Sequence, residues 1–438
     1  MKRALFFLLV FGAGFSRAVE PPVTLTLPDI LARAVADNID VAQAALDLAR
    51  LDSRYHEALG SAFPTLDLTG QYTRNYRIPK VFLGGQGYPS GETNVWAAGV
   101  TAQQPLYTGG KVSTAMRLGK DALSLQKDLS AATRDEALFA ARRLYFAVLL
   151  SSRVADIQSE YLRNANDHLA TIRERYRKGV DSDLALRRQE VEAANAETLM
   201  ISARNTRDTV LLSLKTFLRI DLDRPVTIAG DFDPPSSATP DIPSLEKTAL
   251  DRRPEIAAAR ASMAVYRDLY RLTWAEFQPS LGAFGSYQWS AQATDNSLGG
   301  SQQTDGISAG LLLRFNLFQG GQSFQRMKQS RFDWEKSRLE AEKTERNIRR
   351  EVWEKGLALN EARDRVRVQR ESVDEARKAL TSVEVRYGAG QSGQLELNDA
   401  TFALNRARLQ QAQALSDYWT DKAALERAVG MPLEEMKP

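Results

Sequence analysis

Histidine occurs twice, at His56 and His168, and cysteine not at all. The two histidines fall in different helical segments, no glycine-rich phosphate loop accompanies them, and the many acids show no acid–base or metal-ligand spacing. These residues predict no enzymatic activity, with no catalytic, cofactor-binding or metal site. One acidic pair has a definite geometry. Glu396 and Asp399 are three apart, so on a helix they share a face. Acids near a helix N-terminus are favourable in any case, so any further role depends on the elements that hold them.

The longest of those elements runs from about Lys111 to Arg177, some 65 residues without a proline. As one helix it would be about 100 Å long. Leu118, Ala122, Leu125, Leu129 and Ala132 recur at alternating gaps of four and three, and Phe139, Phe146, Leu150, Val154, Ile157 and Tyr161 continue the seam with charged interruptions. That heptad seam predicts packing against other long, nearly parallel helices.

The N-terminus has the order of a secretory signal peptide. Met1, Lys2 and Arg3 precede an apolar run from Ala4 to Phe15, and cleavage is expected after Ala18. A membrane anchor is the alternative, but the run is well short of the ~20 residues a spanning helix needs. Residues 1–18 carry three of the 58 basic residues and none of the 55 acidic ones, so the mature chain is formally neutral. This removes the electrostatic case for nucleic acid as a partner. With no cysteine, neither disulfides nor a lipidated N-terminal cysteine are available, and mean hydropathy is −0.36. A helical membrane protein is excluded on that basis; a β-barrel is not.

The chain repeats once. Phe63-Pro64-Thr65-Leu66 and Gln278-Pro279-Ser280-Leu281 lie 215 positions apart, as do Val41 and Ile256. Tyr107-Thr108-Gly109-Gly110-Lys111 matches Phe318-Gln319-Gly320-Gly321-Gln322 at 211, and so does Tyr176-Arg177-Lys178-Gly179 with Tyr387-Gly388-Ala389-Gly390. Each half reads helix (Pro28 to Ala62; Ser244 to Phe277), two alternating stretches, long helix, glycine turn, helix (Ser182 to Leu218; Gln394 to Val429). The expected organisation is a signal peptide at 1–18, a first repeat at 19–230, a Pro-rich linker at 231–243 and a second repeat at 244–438. The first and last helices of a repeat together match the length of its long helix, so stacked end to end they could line it throughout.

The alternating stretches place Leu66, Leu68, Gly70, Tyr72 and Tyr76 on one face and Asp67, Thr69, Gln71, Thr73 and Asn75 on the other. Trp96, Ala98, Val100 and Ala102 oppose Ala97, Gly99, Thr101 and Gln103 in the same way. So do Leu281, Ala283, Gly285, Tyr287 and Trp289 against Gly282, Phe284, Ser286, Gln288 and Ser290, and Ile307, Ala309, Leu311 and Leu313 against Ser308, Gly310, Leu312 and Arg314. A soluble sheet on a core or a barrel with lipid outside and water inside could produce this. The strand lengths, the export signal and the membrane-interface aromatics Tyr72, Tyr76, Trp96, Tyr287 and Trp289 favour the barrel. Four strands cannot close one, so several copies must contribute.

At this point the chain resembles the TolC family of outer-membrane efflux proteins. The likeness rests on the doubled element order, on Pro64 and Pro279 opening strands, and on two strand exits, Gln104-Pro105-Leu106-Tyr107-Thr108-Gly109-Gly110 and Phe315-Asn316-Leu317-Phe318-Gln319-Gly320-Gly321. The turns beginning Tyr176 and Tyr387 complete it. The resemblance implies a mainly α protein with a β-barrel part: a homotrimer whose twelve-stranded outer-membrane barrel is continued by a periplasmic α-helical barrel. It implies a passive exit channel of a tripartite efflux or type I secretion system in a Gram-negative outer membrane, with outer-membrane lipid around the barrel. The expected partners are a periplasmic adaptor (membrane fusion protein) and an inner-membrane RND or ABC transporter, exporting small molecules or proteins.

The resemblance also assigns residues. Leu395-Glu396-Leu397-Asn398-Asp399-Ala400 is similar to the family's acidic entrance segment, so Glu396 and Asp399 would form two acidic rings under threefold symmetry. Tyr387 matches a gate tyrosine, and Asp183 is the nearest acid to the expected partner position, which is Ala185 here. Turn residues Tyr176, Gly179, Ser182, Gly390 and Gly393 would meet the adaptor, and the loops Arg77 to Thr93 and Gln292 to Asp305 would face outside. A soluble periplasmic coiled-coil adaptor is the main alternative, an exported hydrolase the remoter one.

Overall fold

The structure is a computed structural model that describes residues 23–232, 240–294 and 302–433. The expected signal peptide, linker residues 233–239 and loop residues 295–301 lie outside it. In chain order the elements are β1 (Val23–Leu25), α1 (Leu27–Ala36), α2 (Ile39–Gly60), β2 (Thr65–Arg74), β3 (Lys80–Leu83), β4 (Gln86–Pro89) and β5 (Asn94–Tyr107). There follow α3 (Lys111–Arg177), α4 (Asp183–Phe217), β6 (Val226–Ile228), α5 (Ile242–Arg252), α6 (Pro254–Trp274), β7 (Ser280–Ala293), β8 (Gln302–Arg314), α7 (Gln322–Gly388) and α8 (Gln394–Val429). The long helices and four of the strands fall where the sequence predicts them.

Two predicted helices are each broken once, at positions 215 apart. Near Asn38 the side-chain oxygen accepts from Asp40 N at 2.8 Å and Val41 N at 3.3 Å, starting α2 afresh. At Arg253 the break comes from Pro254, which lacks an N–H and pushes the residue before it out of helical geometry. The buried Arg253 guanidinium then bonds Glu255 and Glu351, at 2.6 Å and 2.5 Å. Those two carboxylates hold its charge in place despite burial. Sequence patterning also passed over β1 and β6, which pair in parallel, and the β3–β4 hairpin around Gly84 and Gly85.

The chain divides into two compact units. One gathers residues 1–42, 134–245 and 352–438. Its core holds Leu25, Ile30, Tyr145, Phe146, Leu149, Leu214, Leu218 and Val226. Thr26 starts α1 with a capping box, its N and Oγ donating to Asp29 at 3.0 and 2.6 Å. Between α3 and α4, the Tyr161 hydroxyl donates to Glu192, and burial pushes its phenol pKa up. The ends of α4 and α8 correspond at 211. Gly430 closes α8 in the left-handed region at φ 81°, and Met431 N donates to Glu426 O. Arg219 closes α4 at φ 53°, with Ile220 N donating to Lys215 O. A side chain there is strained where glycine is not, so Arg219→Gly is expected to raise stability by roughly 1 kcal/mol. Thermal unfolding of the detergent-purified protein checks this, and an unchanged or lower midpoint contradicts it.

The other unit comprises residues 43–133 and 246–351. It holds the sheet of β2, β5, β7 and β8, in that order and all antiparallel. Helices follow the same order. Gly119 of α3 lies against Tyr55 of α2, where an added Cβ would meet the ring at 3.1 Å. From α3, Arg117 reaches the fully buried Asp268 of α6 at 3.5 Å, and Tyr270 of α6 stacks on Trp334 of α7 at 6.1 Å.

Candidate channel wall and entrance turns

Strand register decides how the four alternating stretches combine. Leu68 pairs with Val100, Val100 with Tyr287, and Tyr287 with Ile307. The next row of that face is Leu66, Ala102, Gly285 and Ala309, so the four apolar sets form one continuous surface. It is open to the surroundings: Leu66, Leu68, Ile307 and Leu311 are 73%, 79%, 84% and 68% exposed. The opposite rows are Asp67, Thr101, Ser286 and Ser308, then Gln71, Ala97, Ser290 and Thr304. An open hollow of about 630 Å³ lies on this polar side, bordered by Thr69, Gln71, Gly99, Ser286, Gln288 and Ser308. A sheet that exposes its apolar side and bears an open hollow on its polar side fits lipid outside and water inside.

Two residues interrupt the polar face. Phe284 and Leu312 both lie near the helix end of the sheet, in rows with Gly310 and Gly282. The Phe284 ring covers Gly310, where an added Cβ would meet it at 3.0 Å, so a glycine makes room for the aromatic group.

The predicted interface aromatics gather towards the loop end of the strands. Tyr72 packs on Trp96 at 5.4 Å and donates to the buried Asn94 at 2.8 Å; Trp289 lies one row further in and Tyr287 one beyond that. Tyr76 stands past the strand with Arg74 over its ring at 5.8 Å. Sequence reasoning missed a second set at the helix end: Phe63, Tyr107, Trp274, Phe277, Phe315 and Phe318, all substantially exposed. The repeat signals this set, because Tyr107 and Phe318 are equivalent positions. From Trp96 to Tyr107 β5 climbs about 37 Å at ~3.4 Å per residue, or roughly 26 Å at a tilt near 45°, the height of a barrel's apolar band.

The two turns expected at the entrance belong to the first unit and close identically. Gly179 and Gly390 have φ of 72° and 70°; Gly179 N donates to Tyr176 O, and Gly390 N to Tyr387 O. Val180 N reaches Arg175 O just as Gln391 N reaches Arg386 O. Ser182 caps α4, its Oγ accepting from Ala185 N at 3.2 Å, whereas Gly393 starts α8 with no side chain to offer.

The side chains at these turns find partners within the chain. Tyr387 lies under the guanidinium of Arg175 at 5.8 Å, and Arg175 binds Asp181 at 2.9 Å. Burial pushes the Tyr387 phenol pKa up. Asp183 instead lies 3.5 Å from Arg187, on its own helix. Glu396 bonds Ser392 at 2.6 Å and Arg386, and these two hold its carboxyl below the usual range. Asp399 is exposed on the same helix. Tyr176 is half-exposed.

A further junction was missed. Gln189, 1% exposed, donates to Ala165 O at 3.0 Å and accepts from Gln394 at 3.1 Å and Asn398 at 3.3 Å, joining α3, α4 and α8. Its signal is a lone glutamine among Leu186, Ala193, Ala196 and Ala203, which recur at helical spacing, and spacing alone cannot distinguish it from a surface residue. Opposite charges flanking Gly179 would have pointed to Arg175 and Asp181.

Comparison with known proteins agrees with this geometry. The family described as outer membrane efflux protein matches residues 30–218 and 245–431. The alkaline protease secretion protein AprF of Pseudomonas aeruginosa is 23% identical over 385 residues, covering 86% of this chain and 79% of AprF. Among solved structures, a membrane protein from Pseudomonas aeruginosa superposes with a TM-score of 0.79 at 18% identity, covering 92% of this chain and 93% of that one. The outer membrane protein VceC from Vibrio cholerae gives 0.76 at 16%, covering 93% and 96%. With the match spanning both repeats, the soluble adaptor falls away, and the chain belongs to the outer membrane efflux protein family.

Proposed function

We propose that three copies of this outer-membrane exit channel make one passive pore: a twelve-stranded barrel from their sheets and an α-helical barrel in the periplasm. The observation that carries this reading is the four-stranded sheet, with one exposed apolar face through the rows of Leu68 and Leu66, a polar face opposite, and the free edges of β2 and β8. Free edges in lipid leave backbone groups unsatisfied, and strands of further copies satisfy them. The signal peptide and the two structural repeats, with their linker, are part of the same reading.

A passive pore takes its energy from partners, here a periplasmic adaptor on the turns at Tyr176, Gly179, Ser182, Gly390 and Gly393 and an inner-membrane RND or ABC transporter. Likeness to a protein named for protease secretion favours type I secretion with a protein cargo over small-molecule efflux. The aromatic sets at both ends of the strands sit at the two lipid–water interfaces. Tyr387 acts in the gate through Arg175 and Asp181, with Asp183 a secondary contributor.

Glu396 and Asp399 line the entrance, but unequally. Because Arg386 already offsets Glu396 within the chain, Asp399 supplies more of any cation preference. Planar-bilayer recording of purified trimers tests both levels. A cation-preferring pore is expected, reduced more by Asp399→Asn than by Glu396→Gln. Absence of heat-modifiable trimers from the outer-membrane fraction would end the reading. The pH response follows from the lowered Glu396 carboxyl. Its pairing contributes stability above the ordinary carboxylate value of ~4.3 and loses it as pH falls through the lowered one. Trimers are thus expected to loosen at the entrance turns only in acid, and Glu396→Gln to remove that part of the response.

A further inference from the structure

The two hairpins of the sheet are copies of one another in register. Gly70 faces Ala98 in the first; the equivalent residues Gly285 and Ala309, offset by 215 and 211, face each other in the second. Leu66 with Ala102 and Leu281 with Leu313 repeat the match. Between the hairpins lies a seam, β5 against β7, in which Val100 faces Tyr287 and Thr101 faces Ser286. β5 is the counterpart of β8, and β7 of β2. The free edges of one chain are therefore the two sides of a seam the chain already contains once.

We infer that β8 of each copy pairs with β2 of the next in the register of this internal seam, which sets Leu311 opposite Tyr72 and Leu312 opposite Gln71. The inference rests on the three-copy barrel proposed above and adds its residue-by-residue closure. Faces are preserved: Leu311 and Tyr72 both lie on the apolar side, Leu312 and Gln71 both on the polar one. A slip of one residue would turn apolar side chains into the lumen. A slip of two would preserve the faces and is excluded only by the seam's own register.

A second observation, outside the strands, points to the same neighbour. Gly109 and Gly320 are equivalent turn glycines with φ of 63° and 61°. A Cβ on Gly109 would meet Gln278 Cβ at 2.5 Å and Ala275 O at 3.0 Å, whereas nothing lies within 4 Å of one on Gly320. Across the copy-to-copy seam the position of Gln278 is taken by Phe63 of the next chain. Phe63 is 66% exposed in a single copy, and it fills the space that Gly320 leaves open.

Because the chain has no cysteine, paired cysteines give a clean readout. The double variants Tyr72→Cys/Leu311→Cys and Gln71→Cys/Leu312→Cys are oxidised in outer membranes and run on denaturing gels without reductant. Adjacent rows of an antiparallel ladder alternate between wide and narrow spacing, so one of the two pairs is close enough to bridge. In the slipped controls the β2 cysteine keeps its place and its partner moves two residues, to Ala309 or Leu313 for Tyr72, and to Gly310 or Arg314 for Gln71. Most of the protein in at least one matched variant should run as covalent dimers and trimers, at least tenfold above every slipped control. A slipped pair that links in preference overturns the register. So does a failure of every pair to link in protein that still forms heat-modifiable trimers. If no variant and no parent protein forms trimers, the three-copy reading itself has failed, and the seam with it.

Discussion

Replacing Val100 with arginine is expected to abolish the folded trimer, while the same replacement one residue later, Thr101→Arg, leaves it intact. Val100 lies in the middle of β5, in the row of Leu68, Tyr287 and Ile307, on the apolar face. Thr101 lies in the row of Asp67, Ser286 and Ser308, on the polar face. An arginine facing lipid at mid-height costs a barrel about 2–4 kcal/mol, and three copies multiply that to roughly 6–12 kcal/mol, comparable with the whole stability of a domain. On the lumen side the charge stays in water. It adds three positive charges to the pore, so conductance should fall and the preference for cations weaken. Gel mobility with and without heating, with bilayer recording of whatever trimer forms, reads both. Equal tolerance of the two variants, or greater tolerance at Val100, would mean that the apolar face does not meet lipid.

The second large effect is expected at Gly230, in the other unit. Its φ is 140°, and a Cβ there would fall 2.0 Å from the Tyr145 hydroxyl oxygen and 3.2 Å from its ring carbon. Tyr145 is itself buried in the core with Phe146 and Leu149, and its hydroxyl donates to Ala229 O at 3.2 Å, so the ring has no free direction to move. Gly230→Ala should therefore cost about 2–5 kcal/mol, from backbone strain and overpacking together. Combining it with Tyr145→Phe removes the closest clash while leaving the strain. The double variant should recover part of the loss, although Tyr145→Phe alone destabilises by forfeiting the hydrogen bond. Unfolding of all four forms by heat in detergent supplies the cycle. An additive result would show that hydroxyl and Cβ do not compete for the same space.

The sequence carried the repeat, the long helices and the faces of four strands, because each is written in spacing along the chain. The sets led by Leu66, Trp96, Leu281 and Ile307 each show period two locally, and pairing merely joins them. The two blemishes, Phe284 and Leu312, were legible as exceptions. Only the cross-strand placement of Gly310 explains how the Phe284 ring is accommodated. Less was legible wherever a residue's role depends on a neighbour distant in the chain. The breaks at Asn38 and Pro254 are local, a side-chain cap and a missing N–H, but apolar periodicity runs on through both and hides them; β1 is three residues long, too short for any period. At the turns, Asp183 was offered by the resemblance as the acid nearest Ala185. The Arg175–Asp181 pair beside Tyr387 was not legible, because only tertiary placement brings Arg175 of the other hairpin to that ring.

The first unit is assembled from three separate stretches of chain, and this imposes an order of events on an exported polypeptide. β1 emerges early but has no partner until Val226–Ile228 has crossed. Arg142 and Glu136 of α3 wait longer still, for Glu426 and Arg427 of α8. Meanwhile the β2–β5 hairpin is already across, with its apolar residues in water and no β7 to pair with, the condition in which strand edges find wrong partners. α8 thus acts as a clasp that closes only after every element before it has crossed. Loss of α8 would leave the middle of α3 without these ion pairs, however intact the preceding sequence.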